Sequence, residues 1–530
     1  VPAHKKCFGG ATLSDASKIS GHHVPPTYPL IQRLLLVLVV TAGTLLRLRL
    51  LTKRDLWVDE ALTVVLALSP WREFWKALWN AQMNMGFYYL LMRGWLHLGD
   101  SEAIVRGLSV LFGVATIVAI YLLGKRLFDR KVAIISAALS AVNVFQIRYS
   151  QEARAYSLVM LLAVLSTYCF INAVDSSSPK RYWAGYVLTS VLGIYTHLFL
   201  CLVVAAQWLS LGYARLRLIP RKTVFLLATS FILLVVPLNA FALLNDRGRP
   251  DWVPRPTAQL LMDFTYLFTG NGGVALAAFY AALCLVAVFE SHRLGRSTPP
   301  AYDEPWRVRL VAWWLLFPVS STLLISFLRP VFYDRFMAIS APALALLAGK
   351  GVVQLEGMFP KLRGLVSVLL IVGICLSVWG ISQYNKSPAS QGDDWRLATH
   401  YVLAGQQAGD GIFLYRASGN WPFTYYLRRE MEAGEVQSSP TIVFPFDPTN
   451  PKQEPNREQT NLAVRGSRRV WLIVQHYEGI QSRKATLNVI QSTLQEDFSL
   501  SQEQVFAGSS GPIRVLLYVR TLAQDDPQNR

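Results

Sequence analysis

Asp59 and Glu60 are adjacent carboxylates in an apolar segment, preceded by Leu56-Trp57-Val58 and followed by Ala61-Leu62-Thr63-Val64-Val65. Two acids there need a reason, because an unpaired charge in apolar surroundings is costly. One reason is structural: carboxylates stabilise the first turn of a helix. The other is chemical, a general base or a metal-binding pair. A second cluster, Tyr149-Ser150-Gln151-Glu152-Ala153-Arg154-Ala155-Tyr156, contains an arginine whose planar fork suits a phosphate and a carboxylate placed to orient it. Arg148 precedes it. Tyr333-Asp334-Arg335, after Arg329-Pro330, offers a second such pair, or a plain interhelical salt bridge. His197 stands alone at a helix end, where a hydrogen-bonded structural role competes with a ligand role.

The elements that must position these residues are membrane helices. The chain has 530 residues, 52% hydrophobic and 16% charged, more apolar than a soluble domain. A hydrocarbon core about 30 Å thick takes roughly 20 apolar residues per helix. Such runs recur about eleven times, over 30–50, 103–124, 132–148, 156–174, 183–196, 198–214, 223–241, 272–290, 309–328, 336–354 and 364–381. The fifth and sixth come from one long apolar stretch divided at Thr196-His197. The formal charge of +18 is scattered between the runs instead of forming a basic stripe, which argues against nucleic acid as a partner. Of the five cysteines, four fall in apolar runs and Cys7 in the N-terminal stretch, so no disulfide framework is implied.

Lys and Arg accumulate in alternate loops, at Lys125-Arg126 with Arg130-Lys131, Lys180-Arg181, Arg215 to Lys222, Arg293 to Arg309, and Lys361 to Arg363. Positively charged loops stay in the cytoplasm. Residues 1–29 then form a cytoplasmic tail, 30–381 the transmembrane domain, and 382–530 a small extracytoplasmic α/β domain in a plasma-membrane protein. In the outer loop 52–102, Trp71, Phe74, Trp75, Leu78 and Trp79 recur at helical spacing, which predicts a helix in the membrane interface or one packed on protein. Beyond residue 381, short strands are expected at 411–415, 441–444, 469–474 and 513–519, with helices over 394–406, 421–429 and 482–494 and a loop over 447–461.

Helix centres are nearly free of charge, whereas outer ends carry Asp59-Glu60, Arg106, Arg148, Glu152, Arg154, His197, Asp246, Asp251, Asp263, Arg329, Asp334 and Arg335. A coupled transporter or a flippase of lipid-linked sugars would favour midplane charge and internal repeats. An outer ring suits chemistry on an anionic lipid headgroup. A further alternative is a non-catalytic partner whose C-terminal domain binds an acceptor.

Leu56-Trp57-Val58-Asp59-Glu60-Ala61, Phe87-Tyr88-Tyr89-Leu90-Leu91, the Gln151-Glu152-Ala153-Arg154 segment and Gly392-Asp393-Asp394-Trp395-Arg396 together resemble bacterial members of glycosyltransferase family 39. These are GT-C fold enzymes related to protein O-mannosyltransferases and to the lipid A aminoarabinose and galacturonic acid transferases. The chain departs from that pattern at Asn84-Met85-Gly86-Phe87, where such proteins usually carry Pro-Pro. The resemblance implies transfer of a sugar from a polyprenyl-phosphate carrier to a hydroxyl of a lipid, glycan or protein, outside the cytoplasm and with inversion. Asp59 would then be the base, Glu60 its support or a ligand to a divalent cation, and Arg154, Arg335 and Arg148 the phosphate clamp. Glu152, Tyr156, His197, Tyr333 and Asp334 would support them.

The charge pattern predicts that an impermeant thiol reagent, applied to intact cells, labels Asn450→Cys and not Pro220→Cys. The opposite pattern would invert the topology.

Overall fold

The computed structural model describes residues 28–521, apart from 80–82, 177–178, 245–252, 298–303, 388–389, 391, 416–418, 435–440, 444–455, 476–480 and 510. Asp246, Asp251, Cys7 and nearly all of the expected tail therefore lie outside the described residues. Helices occupy the positions of all the expected spans. Among the described residues, seven are long and apolar enough to cross a membrane, eight if one bent pair is a single span. Lys180–Thr196 and Leu200–Leu216 have 17 residues each, fewer than a perpendicular crossing of the hydrocarbon takes. The chain is a multi-pass membrane protein, with outward-facing leucines on Tyr28–Leu48, Gly273–Ser297 and Arg363–Lys386. Ala341–Met358 is buried along almost its whole length and forms the centre of the bundle.

The span expected over 132–148 is not continuous. It breaks at Asn143 into Arg130–Val142 and Val144–Ser150, bent by 63°. A break frees backbone groups that need new partners in a membrane. Asn143 Oδ1 accepts from the Gln146 amide (3.0 Å) and caps the second helix, while its Nδ2 donates to Phe268 O (3.1 Å). Arg47, fully buried, donates to the freed carbonyls of Ser140 (3.2 Å) and Ala141 (3.0 Å), to Gly43 O (3.1 Å) and to Ser150 Oγ (3.2 Å). A cation is thus held in the bundle by carbonyl oxygens at a helix C-terminus, where the helix dipole favours positive charge. Gly113 leaves room for this packing, since a Cβ there would collide with Ser150. The break matters because Val144–Ser150 carries Arg148 and Tyr149 and leads directly into Gln151–Tyr156.

The aromatic helix expected between residues 52 and 102 is present, but its apolar face is divided. In Trp71–Ala77 and the residues that follow, Phe74 and Leu78 are buried, while Trp71, Trp75 and Trp79 face outward. Arg93 lies over the Trp71 ring at 4.0 Å and donates to Ala67 O (2.9 Å) and Ser69 O (2.6 Å), closing the end of the preceding helix.

The C-terminal unit is built on a five-stranded sheet of order β2-β1-β3-β5-β4, with β1 Asp410–Tyr415, β2 Thr441–Val443, β3 Arg469–Val474, β4 Phe498–Phe506 and β5 Ile513–Arg520. β1 pairs in parallel with β2 and β3, and β5 is antiparallel to β3 and β4. Alternate residues explain why the central strands are apolar throughout. Ile412, Leu414, Trp471 and Ile473 join the core continuous with the helical bundle, whereas Phe413, Tyr415, Leu472 and Val474 pack against Leu487, Ile490 and Leu494. Strand β4 was not legible because it is an edge strand, exposed almost throughout, and carries no alternating apolar pattern. The loop expected over 447–461 lies outside the described residues to 455, and from Arg457 to Val464 it is a helix capped by Asn456.

Replacing Arg47 by Met removes the donors to the broken helix at similar length. Each buried acceptor left unsatisfied costs about 1–3 kcal/mol, so thermal scans of the purified protein should show a clearly lowered midpoint.

Candidate active site

Helix Val58–Leu68 begins at Trp57, which is extended, and both acids occupy its first turn. The structural and chemical explanations of the pair divide between the two residues. Glu60 is buried, receives Arg106 Nε at 2.8 Å and Nη2 at 2.6 Å, and accepts the Ala153 amide at 2.8 Å and the Trp57 amide at 3.4 Å. The same guanidinium donates to the carbonyls of Leu51 (2.6 Å), Arg54 (2.7 Å) and Asp55 (2.9 Å). Asp59 points the other way.

Asp59 keeps 28% of its side-chain surface, while the two arginines against it keep 7% and 12%. Arg335 Nη1 lies 3.2 Å and Arg154 Nη2 3.8 Å from its Oδ2. Arg154 Nη1 donates to Tyr89 Oη (2.8 Å), Asp59 O (3.2 Å) and Thr63 Oγ1 (3.3 Å), and its buried Nε has no hydrogen-bond partner among the described residues. Arg335 is flanked by the rings of Tyr333 (4.9 Å) and Trp57 (5.4 Å).

Beside this lies a second polar group. Arg148 Nε meets Glu152 Oε1 at 3.2 Å and its Nη1 meets Asp334 Oδ2 at 3.5 Å, which also accepts from Tyr149 Oη at 3.0 Å. Glu152 therefore engages Arg148 and not Arg154, against the sequence expectation. Likewise Asp334 Oδ2 serves Tyr149 and Arg148, while Arg335 reaches across to Asp59. Burial pushes the Glu152 carboxyl above the usual carboxylate range, with Arg148 opposing. Tyr156 is buried with its ring 5.1 Å from Tyr149 and 6.1 Å from His197. Burial, with Arg154 and Arg335 adding to it, pushes the His197 imidazole down to about 3, so the ring is neutral. Its Nδ1 accepts from the Phe199 amide (3.4 Å), and its buried Nε2 has no partner among the described residues.

All ten sequence-selected residues thus meet in one region. Asp263, in the middle of helix Ala258–Thr269, and Arg329, just past the end of helix Glu304–Leu328, are exposed charges. Sequence reasoning missed the partnership of Arg106 with Glu60 and the roles of Trp57, Tyr89 and Tyr149, because pairing across elements has no local signature. Arg106 was visible only as one outer-end charge. Among the described residues no three His, Cys, Asp or Glu are grouped as metal ligands. The carboxylates here face guanidinium groups, a donor set that fits an anion and not a divalent cation. Arg154 and Arg335 outnumber Asp59, so the cationic excess is located at the most open carboxylate of the group.

Residues 85–241 match the family model described as dolichyl-phosphate-mannose-protein mannosyltransferase. The fold matches ArnT from Cupriavidus metallidurans in the apo state, at TM-score 0.57 and 12% identity, over 91% of this chain and 97% of that one. The chain has the GT-C glycosyltransferase fold. It also matches ArnT bound to undecaprenyl phosphate, at TM-score 0.54 and 10% identity, over 93% of this chain and 98% of that one. The archaeal oligosaccharyltransferase AglB from Archaeoglobus fulgidus, in complex with an inhibitory peptide and a dolichol-phosphate, shares the GT-C fold at TM-score 0.55 and 10% identity, over 95% of this chain and 76% of that one. No curated protein sequence matches the chain. The matched family segment contains Arg148, Glu152, Arg154, Tyr156 and His197, whereas Asp59 and Arg335 reach the site from outside it.

The two acids should separate in a stability measurement. Glu60→Ala leaves Arg106 as an unpaired buried cation, a change worth about 3–5 kcal/mol, so the thermal midpoint should fall steeply. Asp59→Asn, at a partly open position, should change it little.

Proposed function

We propose that this chain is an inverting glycosyltransferase that moves a sugar from a polyprenyl-phosphate carrier to an acceptor hydroxyl. The observation that carries this reading is Asp59, partly open and held between the buried guanidinium groups of Arg154 and Arg335. That is a carboxylate beside a cradle of two guanidinium groups. The comparison structures support the donor class, since one is bound to undecaprenyl phosphate and another to a dolichol-phosphate.

In this reading the acceptor hydroxyl gives its proton to Asp59 as its oxygen bonds to the anomeric carbon. The bond from that carbon to the carrier phosphate breaks on the opposite side, and its electron pair stays on the phosphate oxygen. Arg154 and Arg335 stabilise the charge that grows there. A phosphate leaves without a general acid, so one base and a cationic clamp suffice, unlike the two carboxylates of a glycosidase. Glu60 positions the site through Arg106. Arg148, with Glu152 and Asp334, completes its polar wall, Tyr333 flanks Arg335, and Tyr156 and His197 line the interior side.

The site, the C-terminal unit and the N-terminal end of helix Glu102–Leu127 lie together. Arg126, bound to Asp175 at 2.9 Å, is at that helix's other end, about 36 Å away at 1.5 Å per residue. With basic loops held in the cytoplasm, this separation supports a reading in which the chemistry is on the extracytoplasmic face of a plasma membrane and the carrier's tail stays in the bilayer.

Asp59→Asn should leave the protein folded and lower transfer from a purified lipid-linked donor by about 10²–10⁴-fold, the usual contribution of a general base. Near-normal turnover would make Asp59 structural. Arg154→Ala should raise the donor requirement by one to two decades, since a charge-assisted phosphate contact is worth about 1.5–3 kcal/mol. Arg215→Ala, which removes a cation lying over the Trp306 ring, should not. Equal small losses in the two variants would overturn the clamp.

A further inference from the structure

Residues 54–57, immediately before the helix of Asp59, are held from two sides. On the bundle side Arg106 takes the carbonyls of Arg54 and Asp55, and Glu60 takes the Trp57 amide. On the other side the partners come from the C-terminal unit. The Leu56 amide donates to Tyr426 Oη at 2.8 Å, and that hydroxyl lies 3.5 Å from Glu102 Oε1. The Asp55 carboxylate accepts from the Arg396 backbone amide at 2.8 Å and has the Arg396 guanidinium at 3.4 Å, which also meets Glu102 at 2.5 Å.

Arg396 is in turn fixed to the sheet. Gly392, at φ +84°, packs its backbone against Arg54, where a Cβ would sit 3.5 Å from the Arg54 Cβ. Asp393 Oδ1 accepts from the Ser509 amide (2.6 Å) and hydroxyl (2.9 Å), and the Asp394 amide donates to Ala507 O (2.9 Å). The turn Gly392–Arg396 is therefore tied at one end to the β4–β5 connection and at the other to Asp55. Helix Asn420–Glu432 adds Tyr425 Oη on Asp100 O (2.8 Å) and Arg429 on the Asp100 carboxylate (3.2 Å).

We infer that the C-terminal unit is a positioning part of the active site, in which Tyr426 and Arg396 fix Leu56 and Asp55 and thereby set where Asp59 stands relative to Arg154 and Arg335. The hydroxyl of Tyr426 and the turn at Arg396 act through the backbone, and neither touches the cradle itself. An acceptor platform merely attached to the bundle would need no such bonds to Asp55 and Leu56, just ahead of Asp59's helix. In its kinetic arm the inference rests on the transferase reading.

The test uses the full chain in lipid nanodiscs and Tyr426→Phe, which keeps the ring and removes the acceptor for the Leu56 amide. Hydrogen exchange should quicken in peptides covering 51–62 while β3 stays protected, which shows the C-terminal unit still folded. With a polyprenyl-phosphate sugar as donor, kcat should fall about 10–100-fold, the size of effect expected when reacting groups are misplaced by about 1 Å, and donor KM should not change, since Arg154 and Arg335 are intact. Arg396→Ala should behave likewise, with Arg396→Lys recovering part of the loss because a cation again faces Asp55 and Glu102. Unchanged exchange over 51–62 overturns the inference, and so does quickened exchange with unchanged kcat or with the loss falling on KM alone. Wild-type protein that transfers no sugar overturns the transferase reading and the kinetic arm with it, while the exchange result still decides whether the unit holds this segment.

Discussion

Glu60 and Arg106 form a buried ion pair that collects, besides each other, five backbone groups from two distant stretches of chain. Taking two charges out of water is costly, and the cost is offset only where geometry is good and the remaining donors and acceptors are satisfied. Here they are, by Leu51, Arg54 and Asp55 on the arginine and by Trp57 and Ala153 on the carboxylate. Asp59 follows from this pair, because it is the residue before Glu60. Arg154 follows as well, because it is the residue after Ala153. A neutral or displaced Glu60 would release both neighbours at once, so the separation of Asp59 from Arg154 depends on a residue that faces away from the cradle.

The remaining cation of the cradle arrives by a different route. Arg335 stands at the start of the tight turn Asp334–Ser340, and the Asp334 carboxylate accepts its backbone amide at 2.7 Å while also meeting Tyr149 and Arg148. The position of Arg148 depends on the break at Asn143, which Arg47 stabilises. Two separate stretches of the bundle, carrying Arg154 and Arg335, therefore converge on Asp59, the first anchored by Glu60 through Ala153 and the second by Asp334. Such networks stay rigid when every member is satisfied. Among the described residues, Arg154 Nε and His197 Nε2 are buried donors left without hydrogen-bond partners in this region.

The C-terminal unit extends the same logic across the membrane surface. Its central strands are buried on both faces, one of them continuous with the core of the bundle through Tyr425, Tyr426, Trp395 and Leu56. Polar bonds to Asp55, Leu56, Asp100 and Glu102 fix the direction of that contact, and apolar burial supplies its strength. Membrane and C-terminal parts thus meet at the segment that leads into Asp59.

Several things were determined by sequence alone. Long apolar runs impose helices, because unpaired backbone groups cannot be tolerated in hydrocarbon, and helices occupy the positions of the expected runs. The alternation of basic loops implied which helix ends share a face. An acidic pair and an arginine-bearing segment in apolar surroundings marked the site, since charges there need partners. Only the tertiary structure decided who those partners are. It split Asp59 from Glu60, gave Glu152 to Arg148, brought Arg335 to Asp59 and broke one span at Asn143. Strand β4 took its identity from its neighbour β5 and not from its own pattern. The reason is the same in each case: hydropathy and helix period are local properties of the chain, whereas an ion pair between residues 60 and 106, or a hydrogen bond between residues 56 and 426, exists only once distant segments pack together and water is excluded from between them.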